Sequence, residues 1–225
     1  MLRADLHVHL STSPDSLLTP AGLLRACRRR GLGAVAVTDH DRLDGAQALA
    51  RQAPEGLVVI VGEEVSTAQG EVLGFFLQEE VAPGQDVAET ARAIRAQGGL
   101  VGVPHPLDSF RHVVPWEMVE ELARSGLLDF VEGRNGRVLR PDDNRRAEEL
   151  GRRLGLPLTA GSDAHSAFEV GACFVLLPAF GGPQDFLPAL AKGELHGRPS
   201  PPWVHLPSSL AKPWHRRQRT SALGS

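Results

Sequence analysis

Two histidines lie two residues apart near the start of the chain, in the segment DLHVH. In a β-strand, side chains at positions i and i+2 project from the same face, so His7 and His9 share one face of such a strand. The apolar residues Leu6, Val8 and Leu10 would share the opposite face. Two neutral imidazoles on a buried surface need a common partner, and a metal ion satisfies both nitrogen lone pairs. The spacing therefore predicts a metal site.

Further imidazole and carboxylate groups come directly after apolar runs that predict strands. The motifs TDHD, GEEVS, PHP and GSDAH each contain at least one such group and follow the runs GAVAV, LVVIV, LVGV and LPLT. Another carboxylate stands in the turn-like segment SPDS. Together with the first pair, these groups give eight candidate metal ligands: His7, His9, Asp15, His40, Glu64, His105, Asp163 and His165.

The types and number of the candidate ligands limit which metals could bind and how many ions they could hold. Imidazole and carboxylate without thiolate suit Zn²⁺, Mn²⁺ or Fe²⁺. Eight ligands exceed the roughly four to six that one such ion takes, so we expect two or three divalent ions. A carboxylate binds two ions through its two oxygens, so Glu64 or Asp163 is expected to bridge a pair about 3.5–4 Å apart.

The elements that must position these groups alternate between strand-like and helix-like segments. Repeated β-α units predict an α/β fold with a mostly parallel sheet, either closed into a barrel or doubly wound. In a barrel, the carboxyl ends of the strands meet at one rim, which would gather the candidate ligands. The predicted strands cover residues 2–8, 33–37, 57–61, 72–77, 100–103, 128–131, 156–159 and 173–177, and the predicted helices cover 19–31, 45–53, 86–97, 115–124 and 142–154.

The composition is that of an ordinary globular chain of 225 residues, with 42% hydrophobic and 23% charged residues. The last 18 residues carry four basic and no acidic side chains, so the rest of the chain holds 20 basic against 27 acidic groups. An acidic body argues against broad nonspecific binding of nucleic acid and suits a site for divalent cations. From about Arg198 the sequence is rich in proline and serine, which favours a loosely packed terminus. We therefore expect one domain over residues 1–205 and a basic tail over residues 206–225.

Three features of the sequence bear on the cellular compartment of the protein. Cys27 and Cys173 are far apart and fit no metal or redox spacing, which favours a reducing environment. No apolar run approaches the length of about 20 residues that crosses a bilayer. The first residues already form a strand-like segment without the features of a signal peptide. We expect a cytoplasmic protein with no membrane partner and no obligate protein partner.

The motifs DLHVH, TDHD, GEEVS, PHP and GSDAH, in this order, resemble those of the PHP superfamily, the polymerase and histidinol phosphatase domains. The resemblance extends from about Asp5 to Cys173. It implies a distorted (β/α)7-type barrel with a trinuclear metal site at the C-terminal ends of the strands, acting on phosphate esters. By the same resemblance, one ion would be held by His7, His9, Glu64 and Asp163, a second by Glu64 and His105, and a third by Asp15, His40 and His165.

One position departs from the pattern of this superfamily. Its members commonly offer the middle ion a second histidine shortly after the bridging glutamate, and here that place holds Glu71. We expect Glu71 to substitute for the histidine or the middle ion to bind more weakly. The segment between Glu64 and His105 is also short, whereas relatives that act on nucleotides often carry an inserted domain there.

Other polar residues near the motifs receive supporting or ordinary roles. Asp5, Asp39 and Asp41 are expected to orient imidazoles without binding metal themselves. Arg111 and Arg134 are candidates for bidentate phosphate binding, although arginine is abundant in this chain and a solvated surface role fits them equally well. Residues without such a context are interpreted as structural or ordinary, and these are Glu63, His112, His196, His205 and His215.

The predicted reaction is hydrolysis of a phosphate ester by a metal-bound hydroxide, because cations lower the pKa of bound water from about 15.7 to about 7. The expected partner is a small phosphorylated substrate, such as a phosphomonoester, a nucleotide or a short oligonucleotide. One alternative is a C–N hydrolase of the amidohydrolase type, many of which bridge their ions with a modified lysine. The only lysines, Lys192 and Lys212, follow the last ligand motif. The other alternative is a non-catalytic, metal-stabilised regulatory or binding module.

Overall fold

The computed structural model describes residues 1–204, and the basic tail predicted for residues 206–225 lies outside them. Among the described residues, no helix combines the length and the apolar character needed to span a membrane. The strands are β1 (Leu2–Val8), β2 (Ala34–His40), β3 (Val58–Ser66), β4 (Glu71–Phe75), β5 (Leu100–Val103), β6 (Phe130–Asn135), β7 (Leu158–Gly161), β8 (Cys173–Leu177) and β9 (Glu194–Gly197). The α-helices are α1 (Pro20–Arg30), α2 (Asp44–Arg51), α3 (Val87–Ala96), α4 (Trp116–Arg124), α5 (Pro141–Leu154) and α6 (Pro183–Leu190).

These strands form one sheet in the order β7-β6-β5-β4-β3-β2-β1-β8-β9. The sheet curves until the end of β7 returns to β1. There the Asp163 amide donates to the His7 carbonyl at 2.7 Å, and the His9 amide donates to the Ala164 carbonyl at 3.0 Å. The barrel is therefore nearly closed, which confirms the predicted distorted α/β barrel.

The sheet is more mixed than the alternation of strands and helices predicts. The pairs β1–β2, β2–β3, β5–β6 and β6–β7 are parallel, whereas β3–β4, β4–β5, β1–β8 and β8–β9 are antiparallel. Only residues 67–70 join β3 to β4, and so short a connection reverses the chain, because a parallel crossover needs a dozen residues or more. The reversal pairs Glu71, at the start of β4, with Ser66 at the end of β3. Glu71 is thereby brought to the rim where the parallel strands end.

Strand β1 is irregular between Asp5 and Val8, where its register against β2 shifts. Because of this shift, Leu6 packs with Ala4 in the cluster that fills the barrel, whereas Val8 and Leu10 pack in the cluster under α1 and α2. The prediction that Leu6 shares a face with Val8 and Leu10 is therefore wrong. Such an irregularity re-aims the side chains that follow it, which here are the two histidines.

The barrel interior is apolar below the ligand-bearing rim. The rings of Phe75 and Phe130 stack with centroids 4.7 Å apart, and Phe186 of α6 lies 6.0 Å from Phe75. Val58 and Leu100, which begin β3 and β5, pack in the same cluster, so α6 covers the end of the barrel opposite the ligands. Two further apolar clusters pack the other helices on the outside of the sheet.

The segment that follows β9 packs on the domain. The Arg198 amide donates to the Ala172 carbonyl at 3.2 Å, the Ser200 amide donates to the Gly136 carbonyl at 2.6 Å, and Val204 is buried. The prediction of a loosely packed terminus from Arg198 onward is therefore wrong for its described part. Prolines interrupt regular structure, but the amides between them still pair with the barrel.

Gly161, the last residue of β7, sets how closely β7 approaches β1. A Cβ atom there would lie 2.3 Å from the His7 Cβ and 2.6 Å from the His7 nitrogen. We expect Gly161→Ala to lower the free energy of unfolding by about 1–3 kcal/mol, because overpacking forces the backbone to shift. Chemical denaturation measures the loss. Gly182→Ala is the control, since Gly182 has an extended φ of 178° and no atom within 4 Å of an added Cβ, and equal stability of the two variants would contradict the close β1–β7 packing.

Candidate metal centre

The eight predicted ligands lie together at the rim formed by the C-terminal ends of the parallel strands. All are buried except His40, which is partly exposed. β1 supplies His7, and His9 follows β1 directly. β2 ends in His40, and Glu64 lies two residues before the end of β3. The loops after β5 and β7 supply His105, Asp163 and His165, and the loop after β1 supplies Asp15.

The first cluster joins β1, β3 and the loop after β7. His7 Nε2 and His9 Nε2 are 3.0 Å apart, and Glu64 Oε2 lies 3.3 Å from each. Asp163 Oδ1 is 3.3 Å from His9 Nε2 and 3.8 Å from His7 Nε2. Two imidazole nitrogens that face each other and two carboxylate oxygens thus surround one buried space. This donor set fits a cation, because lone pairs brought together without water need a positive partner.

The second cluster contains Glu71, the residue that departs from the family pattern. The Glu64 Oε1 atom is 2.9 Å from His105 Nε2, and Glu71 Oε2 is 3.7 Å from the same nitrogen. Glu71 Oε1 lies 4.0 Å from His40 Nδ1. Glu64 therefore turns one oxygen toward the first cluster and the other toward the second, as a bridging carboxylate does.

The third cluster lies between the loops after β1 and β7. Ring nitrogens of His9, His40 and His165 come within 4.8 Å of one another. Asp15 lies between two of these rings, with Oδ2 3.5 Å from His40 Nε2 and Oδ1 3.5 Å from His165 Nε2. The donors predicted to share the third ion are thus adjacent.

Two ligand positions stand on strained backbone. His105 has a φ of 29° and Asp163 a φ of 53°, in a region that residues other than glycine rarely adopt. Hydrogen bonds hold both conformations, since the Asp163 amide donates to His7 and the His105 amide donates to Glu132 at 2.8 Å. Strain of this kind persists where the surrounding fold imposes it, and it concentrates at functional sites.

The electrostatics of the centre favour the ionised forms of Glu64 and Asp163, whereas burial and the nearby Glu64 raise the pKa of Glu71. Burial alone would raise the pKa of Glu64, but the charges of His7 and His40 hold it well below its usual range. Burial likewise opposes ionisation of Asp163, yet Arg111 and His7 keep its pKa well below the usual value. Burial and the neighbouring His9 together lower the pKa of His165 to about 4. Burial opposes protonation of His7 and His40 as well, but Glu132 raises the pKa of His7 and Glu64 raises that of His40 to about 10. A divalent ion would therefore displace protons from these two imidazoles when it binds.

Glu132, on β6, supports the ligands and was not predicted to do so. Its Oε1 lies 3.0 Å from His7 Nδ1, while its Oε2 accepts from the His105 amide and, at 3.0 Å, from the side-chain amide of Asn135. Asn135 also donates to Asp163 Oδ2 at 3.2 Å. The available signal was a carboxylate near the end of another predicted strand, which is where the other ligands stand.

We expect Glu132→Gln to weaken metal binding about 10–100-fold, because a carboxylate partner fixes the tautomer and orientation of a ligand imidazole. Titration of the metal-free protein with Mn²⁺ by calorimetry measures the change. Glu148→Gln is the matched control, since Glu148 binds Arg134 and Arg152 on the outside of the barrel. Unchanged affinity in Glu132→Gln would contradict the role of Glu132 in orienting His7.

Two of the three aspartates predicted to orient imidazoles hold backbone instead. Asp5 accepts from the Ser162 amide at 2.8 Å and from the Ser162 hydroxyl at 2.5 Å. Asp41 accepts from the Ser66 amide at 2.7 Å and from the Ser66 hydroxyl at 2.9 Å. These two predictions are wrong: Asp5 fixes the loop that carries the β7 ligands, and Asp41 fixes the end of β3.

Asp39 acts on an imidazole only indirectly. It accepts from the Leu10 amide at 2.6 Å, from the Thr12 hydroxyl, and from the Ser13 hydroxyl at 3.2 Å. The Ser13 oxygen lies 3.4 Å from His9 Nδ1. Asp39 therefore positions the loop after β1, and Ser13 is the group next to His9.

The two predicted phosphate-binding arginines lie in different places. Arg111 is in the centre, with Nη1 2.5 Å from Asp163 Oδ2 and Nε 3.3 Å from Asp108. Arg134 instead points to the outside of β6, where it binds Glu148 at 2.5 Å and the Leu195 carbonyl at 3.2 Å. The prediction that Arg134 binds substrate phosphate is wrong, because its side chain projects from the face opposite the ligands.

The residues interpreted as ordinary lie away from the three clusters where the structure describes them. Glu63 projects from β3 on the opposite face to its neighbour and accepts from the Val81 amide at 3.0 Å. His112 is exposed, and His196 stacks on Phe174 with ring centroids 5.2 Å apart. His205 and His215 lie outside the described residues.

A barrel with histidine and carboxylate clusters at its C-terminal rim defines a class of metal-binding α/β-barrel proteins. The chain belongs to the PHP domain family, whose model matches residues 5–152, and a PHP-associated model matches residues 141–195. The uncharacterized protein MJ0417 of Methanocaldococcus jannaschii is 30% identical over 229 residues, which cover 100% of this chain and 92% of that protein. The uncharacterized protein MJ1587 of the same organism is 35% identical over 116 residues, covering 47% of this chain and 68% of that protein.

Solved structures share the fold at low sequence identity. A two-domain protein from Bacteroides vulgatus, described as containing a predicted PHP-like metal-dependent phosphoesterase, aligns with a TM-score of 0.73 at 20% identity. The alignment covers 88% of this chain, which spans 65% of that protein. PsfC from Pseudomonas syringae aligns with a TM-score of 0.66 at 19% identity over 97% of this chain and 100% of PsfC. These likenesses confirm the fold, and the family model shows that the chain belongs to the PHP domain family.

Proposed function

We propose that this protein is a metal-dependent hydrolase of phosphate esters. The observation that carries the proposal is the position of Glu64, whose two oxygens lie within 3.3 Å of imidazole nitrogens in two different clusters. A carboxylate shared in this way is the usual bridge of a multinuclear hydrolytic centre. The Bacteroides vulgatus protein described as containing a phosphoesterase of this type adds support.

Each cluster offers a set of ligands for one divalent ion, of the Zn²⁺, Mn²⁺ or Fe²⁺ type. When bound, such ions lower the pKa of water to about 7 and neutralise negative charge on a phosphoryl oxygen. The chain would hold two or three of them. The ligand sets would be His7, His9, Glu64 and Asp163 for the first, Glu64, Glu71 and His105 for the second, and Asp15, His40 and His165 for the third.

The chain itself supplies an additional cation for the substrate. The Arg111 guanidinium is fixed by Asp108 and Asp163, and its side chain stays 22% exposed at the mouth of the centre. A planar guanidinium donates two parallel hydrogen bonds to a phosphate. Arg111 would therefore orient the phosphoryl group against the ligand clusters, and a preorganised charge of this kind stabilises the developing negative charge.

The substrate class follows from this chemistry and is a small phosphorylated molecule: a phosphomonoester, a nucleotide or a short oligonucleotide. The amidohydrolase alternative with a bridging lysine finds no support, because Glu64 stands at the bridging position and no lysine lies in the centre among residues 1–204. The second alternative, a non-catalytic binding module, shares the same ligands and differs only in turnover.

A substrate panel separates these functions. Phosphomonoesters, bisphosphates and short oligonucleotides would be incubated with Mn²⁺-loaded protein, and released phosphate would be measured. Hydrolysis of at least one compound that stops when the metal is chelated is the expected result. If protein of proven metal content hydrolysed none of these compounds, the result would favour the non-catalytic binding module.

Metal binding should also stabilise the fold. An ion that binds only the folded state stabilises it by about 2.7 kcal/mol at 100 times its Kd. We expect Mn²⁺ or Zn²⁺ to raise the melting temperature of metal-stripped protein, measured by differential scanning calorimetry. Mg²⁺, which prefers oxygen ligands, is the control and should raise it less. Equal melting with and without transition metals would contradict a preformed site.

A further inference from the structure

We propose that residues 198–204, here called the strap, fix the third ligand cluster in place through Arg137 and Glu169. The strap crosses two loops that carry ligands or their supports. One is the turn after β6, at residues 136–137, and the other is the loop between β7 and β8. This inference rests on the proposed metal centre and concerns which residues position it.

The first connection runs from the strap to the turn after β6. The Ser200 amide donates to the Gly136 carbonyl at 2.6 Å, and Arg137 Nη2 donates to the Val204 carbonyl at 2.8 Å. The turn is packed tightly against the ligand loop, because a Cβ on Gly136 would lie 2.6 Å from the Ser162 carbonyl oxygen. Movement of the strap would therefore be transmitted to the residue that precedes Asp163.

The second connection runs through a buried ion pair to His165. Arg137 Nε lies 3.0 Å from Glu169 Oε1, and both side chains are almost fully buried, at 4% and 1% exposure. Glu169 Oε2 accepts from the His165 amide at 3.2 Å and from the Ser166 hydroxyl at 2.8 Å. One guanidinium thus joins the Val204 carbonyl to the carboxylate that holds the backbone of a ligand.

The strap also covers the outside of the same loop. The Arg198 amide donates to the Ala172 carbonyl at 3.2 Å, and the Trp203 ring lies 5.2 Å from the Phe168 ring, centroid to centroid. These contacts hold the middle and the end of the segment from His165 to Ala172. Arg137 reaches the His165 backbone through Glu169, and Trp203 packs on Phe168, so both would act as positioning residues.

Position matters most for the third cluster, because its remaining ligands come from other elements. His165 must meet His40 and Asp15, which belong to β2 and the loop after β1. The loop ligands of the first and second clusters have anchors of their own, since the Asp163 amide donates to the His7 carbonyl and the His105 amide donates to Glu132. Loosening the strap should therefore weaken one ion and leave the others bound.

The test is a metal titration of metal-free, full-length protein with Mn²⁺, followed by calorimetry and by elemental analysis after gel filtration. The variants are Arg137→Lys, which keeps the charge but loses the planar fork, and Trp203→Ala, which removes only the ring contact. Arg134→Lys is the matched control, because Arg134 also joins a glutamate to C-terminal carbonyls, but on the outer face. The melting temperature of each metal-free protein is measured in parallel.

We expect Arg137→Lys to weaken one ion about 10–100-fold while the other ions bind as in the wild type, with Trp203→Ala showing a smaller loss of the same ion. Arg134→Lys should bind every ion normally. If both strap variants bound every ion as the wild type does, the proposal would be overturned. It would also be overturned if a variant lost all ions together with a lower melting temperature, because that result would indicate a general role in folding. A wild-type protein that binds no metal would instead overturn the proposed function itself.

Discussion

Asp163→Ala should abolish phosphoester hydrolysis and remove metal from the first cluster. Asp163 presents Oδ1 to His7 and His9 and binds Arg111 through Oδ2, so its loss removes a ligand and frees the guanidinium that would meet the substrate. Losing a partner that only supports a ligand already costs about 10–100-fold, so we expect a fall in kcat/KM greater than about 100-fold. Released phosphate and metal content, measured on the same sample, report both effects.

The control for Asp163→Ala is Asp44→Ala, which removes an exposed carboxylate paired with Arg42 at the start of α2. It should leave turnover and metal content unchanged, because exposed ion pairs contribute little. A folded Asp163→Ala protein, judged by circular dichroism, that hydrolyses its substrate at the wild-type rate would contradict the assignment of Asp163 as a ligand.

Glu64→Gln should have the second largest effect, and it should act on two ions at once. Glutamine keeps the size of the side chain but loses the charge that lets one carboxylate serve His7 and His9 with one oxygen and His105 with the other. We expect the number of tightly bound ions to fall by at least one and hydrolysis to fall more than about 100-fold. Elemental analysis after gel filtration counts the ions.

Glu63→Gln is a closely matched control, since the same change is made one residue earlier on the same strand. Glu63 projects to the other side of β3 and accepts from the Val81 amide, and burial raises its pKa to about 7. Its loss of charge should leave metal content intact. Equal metal loss in both variants would mean that the strand, rather than the bridging carboxylate, controls binding.

The convergence of the candidate ligands could be predicted from the sequence because it depends on one regular rule. A parallel strand that ends in a histidine or a carboxylate delivers that group to a common rim, whatever the helices between the strands contain. His40, Glu64, His105 and Asp163 follow this rule and come together in the structure. The fold class followed from the same alternation of strands and helices.

The residues that support the candidate ligands could not be predicted from the sequence, because their positions depend on irregular strand geometry. The register shift in β1 moved Leu6 to the interior, and the irregularity between Glu132 and Arg134 in β6 set those two side chains on opposite faces. No periodicity encodes such a shift. Short or proline-containing elements were missed for a related reason: α6 contains Pro188, and β9 spans four residues.

The aspartates show a further limit of sequence reasoning. An acid next to a ligand motif is equally suited to hold an imidazole or a backbone amide, and the choice depends on which group the fold brings near. Asp5 and Asp41 were brought to serines at strand ends, whereas Glu132, distant in sequence, was brought to His7. A contact between residues more than 100 positions apart in the sequence, such as that of Glu132 with His7, forms only when the barrel closes. The local sequence pattern around either residue does not describe that closure.

The most direct test of the metal centre is anomalous diffraction from crystals of Mn²⁺-loaded protein, recorded at the manganese edge. The expected map has two or three peaks at the rim, with at least one pair about 3.5–4 Å apart on either side of the Glu64 carboxylate. Crystals grown with saturating Mn²⁺ that show no peak within bonding distance of these imidazoles and carboxylates would contradict the account.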